Sequence, residues 1–493
     1  MMRIRFTDVG SVLAAALLAA CSGSTEPVPR APSLKFVAGA NVTDTIQSIL
    51  PQALLVEVHD STGAIAPPGT VVRFESLIDQ SRPSWAYVEP LTSTFFGTFA
   101  SAPTGQDGRA AVIVQLGYRA GPVRIVVSVP ILGLVDTAHF TVTPGAAAQV
   151  HITPIDTTLA TGKSYTLTGG VTDRFGNTRS DPVTWSASGP GITVSSAGVV
   201  TTVAAGRHTI TASASALGTG TASVSVVPQG RTVVWGSPYS TGSIYTIDLD
   251  GTNRTDVATV NDGGIGSNPA WIPGTNTIVH SHYVNALQTL HKVDAGGGAA
   301  SPFFAAQPPN VSHEAEPVPS ADGQWLYFSA YDTRCNSSAY CLYRSRIDGS
   351  APELLGSFIS STDPSWRPAP SPDGSKVAFM LGGPYGTGTI KVFDVATKTT
   401  SSWGLPGEAP VWSPDGAQIA YVSNTGGINL ITPDGSITRT LAPGYGFGRP
   451  LGWSPDGKWI VGQSGGMLQL IDVAGGAVLP LRWSGGLNSG RIK

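Results

Sequence analysis

Pro410-Val-Trp-Ser-Pro-Asp-Gly416 and Leu451-Gly-Trp-Ser-Pro-Asp-Gly457 spell one turn twice. In Ser-Pro-Asp-Gly the proline presets φ, the aspartate carboxylate caps nearby backbone N–H groups, and the glycine takes the left-handed position. Weaker copies read Pro368-Ala-Pro-Ser-Pro-Asp-Gly374, Pro317-Val-Pro-Ser-Ala-Asp-Gly323 and Pro269-Ala-Trp-Ile-Pro-Gly274. The carboxylates Asp322, Asp373, Asp415 and Asp456 are therefore structural. An apolar strand follows each copy, at residues 278–280, 325–328, 377–380, 419–422 and 459–461. A second element then ends in Asp or Asp-Gly, at 290–294, 342–349, 390–394, 428–435 and 468–472, and a sixth such element, 244–251, precedes them all.

Residues 230–493 are 264 positions, so six elements give 44 residues per repeat, the size of a four-stranded propeller blade. The pattern predicts a six-bladed β-propeller over 230–493 and resembles TolB-type propellers. The first repeat begins at the strand 231–235 without its turn, and Leu481-Arg-Trp-Ser-Gly485 stands unclaimed at the other end. That C-terminal strand is expected to complete the first blade and close the ring.

Upstream, short alternating strands at 53–60, 69–75, 110–116, 123–129 and 137–143 predict a β-sandwich over 34–146. Residues 77–99 read as an insertion. The turns Asp60…Gly63…Pro68-Gly69-Thr-Val71, Thr104-Gly-Gln-Asp-Gly108 and Ala120-Gly121 resemble bacterial Ig-like group 1 domains. A second sandwich spans 147–228. Its Val183-Thr-Trp185, Ser195-Ser-Ala-Gly-Val-Val-Thr201 and Ala205-Gly-Arg-His-Thr-Ile-Thr-Ala212 closely resemble the Ig-like group 2 pattern, with Trp185 as core tryptophan. That resemblance implies stalk or adhesive modules. The fold class is all-β: two Ig-like sandwiches followed by the propeller.

Residues 1–21 differ from the rest. Arg3 and Arg5 precede an apolar run, 12–20, too short to span a bilayer, which reads as a signal peptide. It ends Leu18-Ala-Ala-Cys21, resembling the bacterial lipobox. The resemblance implies a diacylglyceryl group on Cys21 and anchoring to a membrane, with Ser22 favouring the outer membrane. Residues 22–33, rich in Pro and Ser, form a tether that cannot fold alone. The expected location is the exported cell envelope, on its periplasmic or surface face. In an oxidising compartment Cys335 and Cys341 are expected to pair as a disulfide; a metal pair is the alternative, but two thiolates alone do not fill a tetrahedral zinc site.

Net charge is −3 and charged residues are 12%. No basic face marks a nucleic-acid binder. The chain shows no phosphate-binding glycine loop and no helical His-Glu-x-x-His. No Gly-x-Ser-x-Gly nucleophile elbow is expected either. A propeller joined to an α/β-hydrolase would be a peptidase, but no residues here are left over for that domain. One cluster could carry chemistry. His280 and His282 share a strand face, His291 lies on the next element, and His313, Glu314 and Glu316 fall in a loop entering the third blade. Of these, His280, His282, His291, His313 and Glu316 are candidate metal ligands; separate structural roles are the alternative. Certain propeller lyases acting on acidic sugars resemble this in binding a metal through propeller histidines. Trp235, Tyr239, Tyr283, Tyr331, Tyr385, Trp403 and Tyr445 either line the funnel or fill gaps between blades. His59, His139, His151 and His208 are assigned structural roles. The leading expectation is a non-catalytic envelope lipoprotein, without cofactor, whose propeller binds a protein or glycan. A metal-dependent polysaccharide lyase or hydrolase and a purely structural or adhesive protein are the alternatives.

Overall fold

The structure, a computed structural model, describes residues 31–78, 84–92, 95–215, 217–236, 241–261, 268–284, 287–335, 340–356, 368–381, 388–441, 452–464 and 467–484. Cys21, the signal peptide and most of the tether lie outside the described residues, as do Tyr239, Tyr385, Tyr445 and the side chain of Trp235. The described chain is all-β, its single helical turn being the 3-10 segment Pro130–Leu132. It forms two compact units. One runs to Ala148 and includes Thr172–Arg179; the other holds Gln149–Val171 and everything from Ser180 onward.

In the first unit, Ser33–Ala38, Leu54–His59, Arg109–Leu116 and Ala86–Pro90 make one sheet. Val42–Thr45, Leu134–Thr143, Gly121–Val129, Val71–Ser76 and Phe99–Pro103 make the other. Each sheet is apolar on one face only, as in the alternation along Arg109–Leu116. Val56, Val112 and Val114 of one sheet pack with Phe74, Ile125 and Phe140 of the other in a single core. Residues 77–99 are not a mere insertion: Ala86–Pro90 inside them is an integral edge strand, paired with Arg109–Leu116.

In the second sandwich Asp156–Ala160 runs parallel to Gly218–Val227, which pairs with Gly206–Ala214, itself paired with Thr184–Ala187. Trp185 is half-buried. Its indole lies where a Cβ on Gly169 or Gly198 would collide with it. Gly198 also has φ +78°, so the Ser195-Ser-x-Gly198 step needs glycine twice over.

From Arg231 the chain forms six antiparallel meanders among the described residues. The first has three strands, Arg231–Gly236, Thr241–Asp248 and Thr255–Asn261. The second has Ala270–Trp271, Thr277–Val284, Leu287–Asp294 and Ser301–Pro302; the third has Val311–Pro319, Trp325–Asp332, Tyr340–Arg346 and Glu353–Gly356. The fourth and fifth share one long strand, Thr400–Trp412. Its first half pairs with Thr389–Asp394 and its second half with Ile419–Ser423. The sixth has Gly452–Trp453, Trp459–Ser464, Met467–Asp472 and Val478–Ser484.

Here both faces of each sheet are apolar. One core joins Val233 and Ile244 to Trp271 and Ile278. Others join Val279 and Leu290 to Phe328 and Tyr343, then Tyr327 and Leu342 to Phe379 and Phe393. Ile390 meets Ile419 and Tyr421, and Leu430 meets Ile460 and Ile471. The last sheet then meets the first: Val461, Leu470, Leu479 and Leu481 share a core with Val234, Tyr245 and Leu249, joined by Ala160 and Val227 of the second sandwich. Closure is thus by packing, and the expectation of a C-terminal closing strand is corrected. Leu481 lies on the strand Val478–Ser484, which pairs with Met467–Asp472 of its own sheet; Gly485 falls outside the described residues.

The repeated turns share one geometry. In each, the serine hydroxyl donates to the aspartate two residues on, at 2.5 Å for Ser320–Asp322, Ser371–Asp373 and Ser454–Asp456 and 2.6 Å for Ser413–Asp415. The carboxylate also accepts the N–H two residues later, from Gln324, Ser375, Ala417 and Lys458. The serine bond, then the amide, hold the Asp322, Asp373 and Asp415 carboxyls below the usual range.

The seam between the last and first sheets sets an expected outcome. Leu481 is fully buried, whereas Ile437 on the fifth sheet is 54% exposed. Leu481→Ala should cost about 2–5 kcal/mol in urea unfolding and Ile437→Ala well under ~1 kcal/mol. Equal costs would mean that the seam is not packed.

Candidate functional site

His280 and His282 sit two apart on Thr277–Val284, and His291 lies directly across from His280 on Leu287–Asp294. Pleating puts all three rings on one face. Ring centroids are 6.1 Å apart for His280–His282, 6.0 Å for His280–His291 and 4.9 Å for His282–His291. His280 is fully buried. Its Nδ1 lies 3.1 Å from the Ser281 carbonyl, which fixes Nδ1 as the donor and leaves Nε2 a lone pair with no hydrogen-bond partner among the described residues. Burial, helped by the neighbouring imidazoles, lowers His280 to about 4, and burial with His282 does the same to His291. Near neutral pH both rings are uncharged.

The residues expected in a loop are instead on a strand. His313, Glu314 and Glu316 belong to Val311–Pro319, the inner strand of the third sheet. Pairing with Trp325–Asp332 slips between Ser312 and Ala315 and again between Ala315 and Val318. Both slips are bulges, and His313 (φ +51°) and Glu316 (φ +53°) take the left-handed conformation within them. A bulge turns a side chain that regular pleating would aim elsewhere. Glu314 is fully buried. One oxygen accepts the Leu290 N–H at 3.0 Å and the other accepts from Gln307 Nε2. Burial pushes its carboxyl up to about 7 despite the Leu290 bond.

Tyrosines complete the site. Tyr331 is edge-on to His313 (6.3 Å) and to Tyr340 (6.2 Å). Burial raises the Tyr340 hydroxyl, with the charges of Glu316, Tyr283 and Tyr331 adding. Since Tyr331 and Tyr340 pair across the third sheet and Tyr283 ends a strand of the second, the group occupies the sheet ends opposite the Ser-x-Asp-Gly turns. Cys335 and Cys341 form a disulfide at that same end. Beside it the buried Asp332 accepts from Arg334 Nη2 at 2.6 Å and from the Tyr343 hydroxyl.

The five candidate ligands are therefore divided. The three histidines of the second sheet converge, whereas His313 lies against Tyr331 and Glu316 acts on Tyr340. Among the described residues, no group of three or more His, Cys, Asp or Glu is placed to hold a metal ion. Trp403 packs into cores of the fourth and fifth sheets. His59 bonds Glu57 (3.0 Å) and Gly63 (3.1 Å), and His208 bonds Ala204; His151 leaves a buried Nδ1 without a partner among the described residues, and His139 is exposed. Gly462-Gln-Ser464-Gly-Gly466 does spell the nucleophile-elbow pattern. There, however, Ser464 pairs with Met467, so strand leads to strand, where an elbow needs a helix. Sequence reasoning missed Gln307 and Tyr340; Tyr340, one residue before Cys341, had only its strand position as a signal.

Comparisons with known proteins give local likenesses. Residues 146–226 match the family model of the bacterial Ig-like domain (group 2). A stretch of 122 residues is 31% identical to the uncharacterized peptidase YuxL of Bacillus subtilis, covering 22% of this chain and 18% of that protein. Another of 165 residues is 25% identical to the uncharacterized protein Atu1656 of Agrobacterium fabrum, covering 31% of this chain and 53% of that one. The chain thus spans about half or less of the curated relatives it matches. TolB from Acinetobacter baumannii superposes with a TM-score of 0.43 at 16% identity, over 64% of this chain and 83% of that one.

The opposed shifts at this site give a pH signature. Glu314 is raised from 4.5 to about 7, so the folded state binds its proton more tightly and stability falls as pH rises through that window. His280 and His291 are lowered from 6.5 to about 4, so their contribution grows as pH rises from 4 to 6.5. Glu314→Gln should remove the first slope. Unfolding free energy should then rise more steeply between pH 5 and 6.5 than in the unsubstituted chain, by up to about 1.4 kcal/mol per pH unit. Parallel pH curves would refute the buried ionisable role of Glu314.

Proposed function

We propose that this chain is a non-catalytic lipoprotein of the cell envelope, held by a diacylglyceryl group on Cys21. Two Ig-like sandwiches, the first of the group 1 kind, carry a six-bladed β-propeller that binds a protein or glycan. The observation that carries the reading is the run of shared cores from each meander to the next and from the last back to the first. Such a ring consumes the sheet faces in packing and leaves the strand ends as recognition surface. At one such end stand Tyr283, Tyr331 and Tyr340, half-buried, with His313 and the neutral histidines behind them. Half-buried tyrosines beside uncharged imidazoles suit the stacking and hydrogen bonding that hold sugars or peptide backbones. Catalysis would need a base open to substrate. Here Glu314 has both oxygens occupied and His280 is sealed.

The test immobilises mature chain and its Tyr283→Ala/Tyr331→Ala variant against detergent-solubilised envelope of the parent bacterium, with metal analysis of both preparations. A partner held by the unsubstituted chain and weakened at least about tenfold by loss of two anchor tyrosines supports the reading. Equal capture by both, or stoichiometric bound metal with turnover of an acidic polysaccharide, would replace it with the adhesive or the lyase alternative.

A further inference from the structure

Large apolar side chains are unevenly exposed. Of the seventeen exposed among the described residues, twelve lie between Val37 and Val135 and five between Ile155 and Ile437. Within the first sandwich, the most exposed is Ile131 (82%), at the tip of the hairpin joining Gly121–Val129 to Leu134–Thr143. Val135 (68%), Val71 (47%) and Ile65 (47%) are exposed as well.

Register places these four at one end of the sandwich. Arg73 pairs with Ser128 and Val129 with Leu134, so the hairpin tip stands level with Val71. Val71 pairs with Pro103, and the Thr104–Gly108 turn leads from there directly to Arg109 of the facing sheet, with Gly69 N–H bonded to the Thr104 carbonyl. Arg109 pairs with Glu57, and His59 both pairs with Ser33 and bridges to Ile65. The end that carries Ile65, Val71, Ile131 and Val135 is therefore the end at which the chain enters the sandwich, at Ser33. From Ser22 to Pro32 are eleven residues, which reach at most about 40 Å when fully extended.

We infer that this apolar tip rests in the membrane interface, the bilayer being the occupant that covers it. The inference builds on the lipid anchoring at Cys21 proposed above. A short tether holds this end near the lipid surface. A hairpin tip reading Pro130-Ile-Leu-Gly-Leu-Val135 has no charge to desolvate, so it can enter the headgroup boundary without an ionic cost. The exposed charges at this end, Lys35, Arg73 and Arg109 against Asp107 and Asp136, are of both signs, so the tip is not a basic patch and its insertion does not require anionic lipid.

The test does not depend on natural lipidation. Residues 22–493 carrying an N-terminal polyhistidine tag are tethered to phosphatidylcholine vesicles doped with a nickel-chelating lipid. An environment-sensitive fluorophore is placed on Ile131→Cys, or on Ile437→Cys as reference; Cys335 and Cys341 are paired, so the introduced thiol is the reactive one. Tethering should blue-shift the emission at 131, leave 437 unchanged, and lose its effect at 131 when Val71→Asp/Val135→Asp is added. Emission at 131 that stays as in water on tethered vesicles overturns the inference. So does a blue shift already present without vesicles and dependent on protein concentration, which would assign the tip to a second copy of the chain. Metabolic labelling with a clickable fatty acid tests the anchor separately: label on the unsubstituted chain that is lost in Cys21→Ala supports the anchor, and an unlabelled unsubstituted chain would refute it and leave the vesicle result standing.

Discussion

The structure from Arg231 onward depends on covering both faces of every sheet. Ile419–Ser423 is buried at all five positions, and Trp325–Asp332 at six of its eight. A strand of that kind cannot lie at the surface of a stack, because one of its faces would carry a continuous apolar strip into water at roughly 25 cal/mol per Å². A linear row of such sheets would leave its first and last members half covered. Packing Val461, Leu470 and Leu481 against Val234, Tyr245 and Leu249 removes both exposed faces at once. The first sandwich solves the problem differently. Its strands alternate, so two sheets suffice and their outer faces may be polar.

Closure of the sheets brings their inner strands together, and the repeat handles the crowding there with one device. Asn268, Glu316 and Ala409 all have positive φ, and each immediately precedes a proline, Pro269, Pro317 or Pro410. Left-handed backbone is costly for residues other than glycine, so its recurrence at one position of the repeat marks a constraint imposed by the fold. At Glu316 and Ala409 it coincides with slips in pairing. In the third sheet a second bulge at His313 is added. The candidate site owes its arrangement to this strand: without two bulges, Glu314 could not bond Leu290 of the preceding sheet while His313 faces Tyr331.

The roles of Asp and Gly in the turns were legible in the sequence because they are local; the bond from each serine hydroxyl to the aspartate was not read there and came from the structure. The histidine triad was legible in part. His280 and His282 follow from the two-residue strand period, and only cross-strand register adds His291. Other features depend on contacts distant in sequence. His313, Glu314 and Glu316 read as loop because a strand broken by two bulges shows no regular alternation, and such bulges leave N–H positions free for Pro317 and Pro319. The partner of the strand holding Leu481 is likewise a matter of register between strands, which no local pattern records. Gln307 meets Glu314 across a turn whose course no periodicity records.

The electrostatics of the site follow from its burial. Sealing His280 and His291 strips their protons, and sealing Glu314 lets it keep one up to about pH 7. Each shift moves its group toward neutrality, so these three groups carry little charge between about pH 4 and 7. A charged ligand would find no counter-ion among these three groups to offset its lost hydration. An uncharged polar group, such as a sugar hydroxyl or a peptide amide, would meet imidazole nitrogens and phenol hydroxyls that can each donate or accept. The His280 Nδ1 bond to Ser281 fixes the tautomer of a ring that lies fully buried behind them. If the proposed binding holds, a site of this composition would discriminate by hydrogen-bond geometry and ring stacking, and its selectivity would survive salt that screens an ionic one.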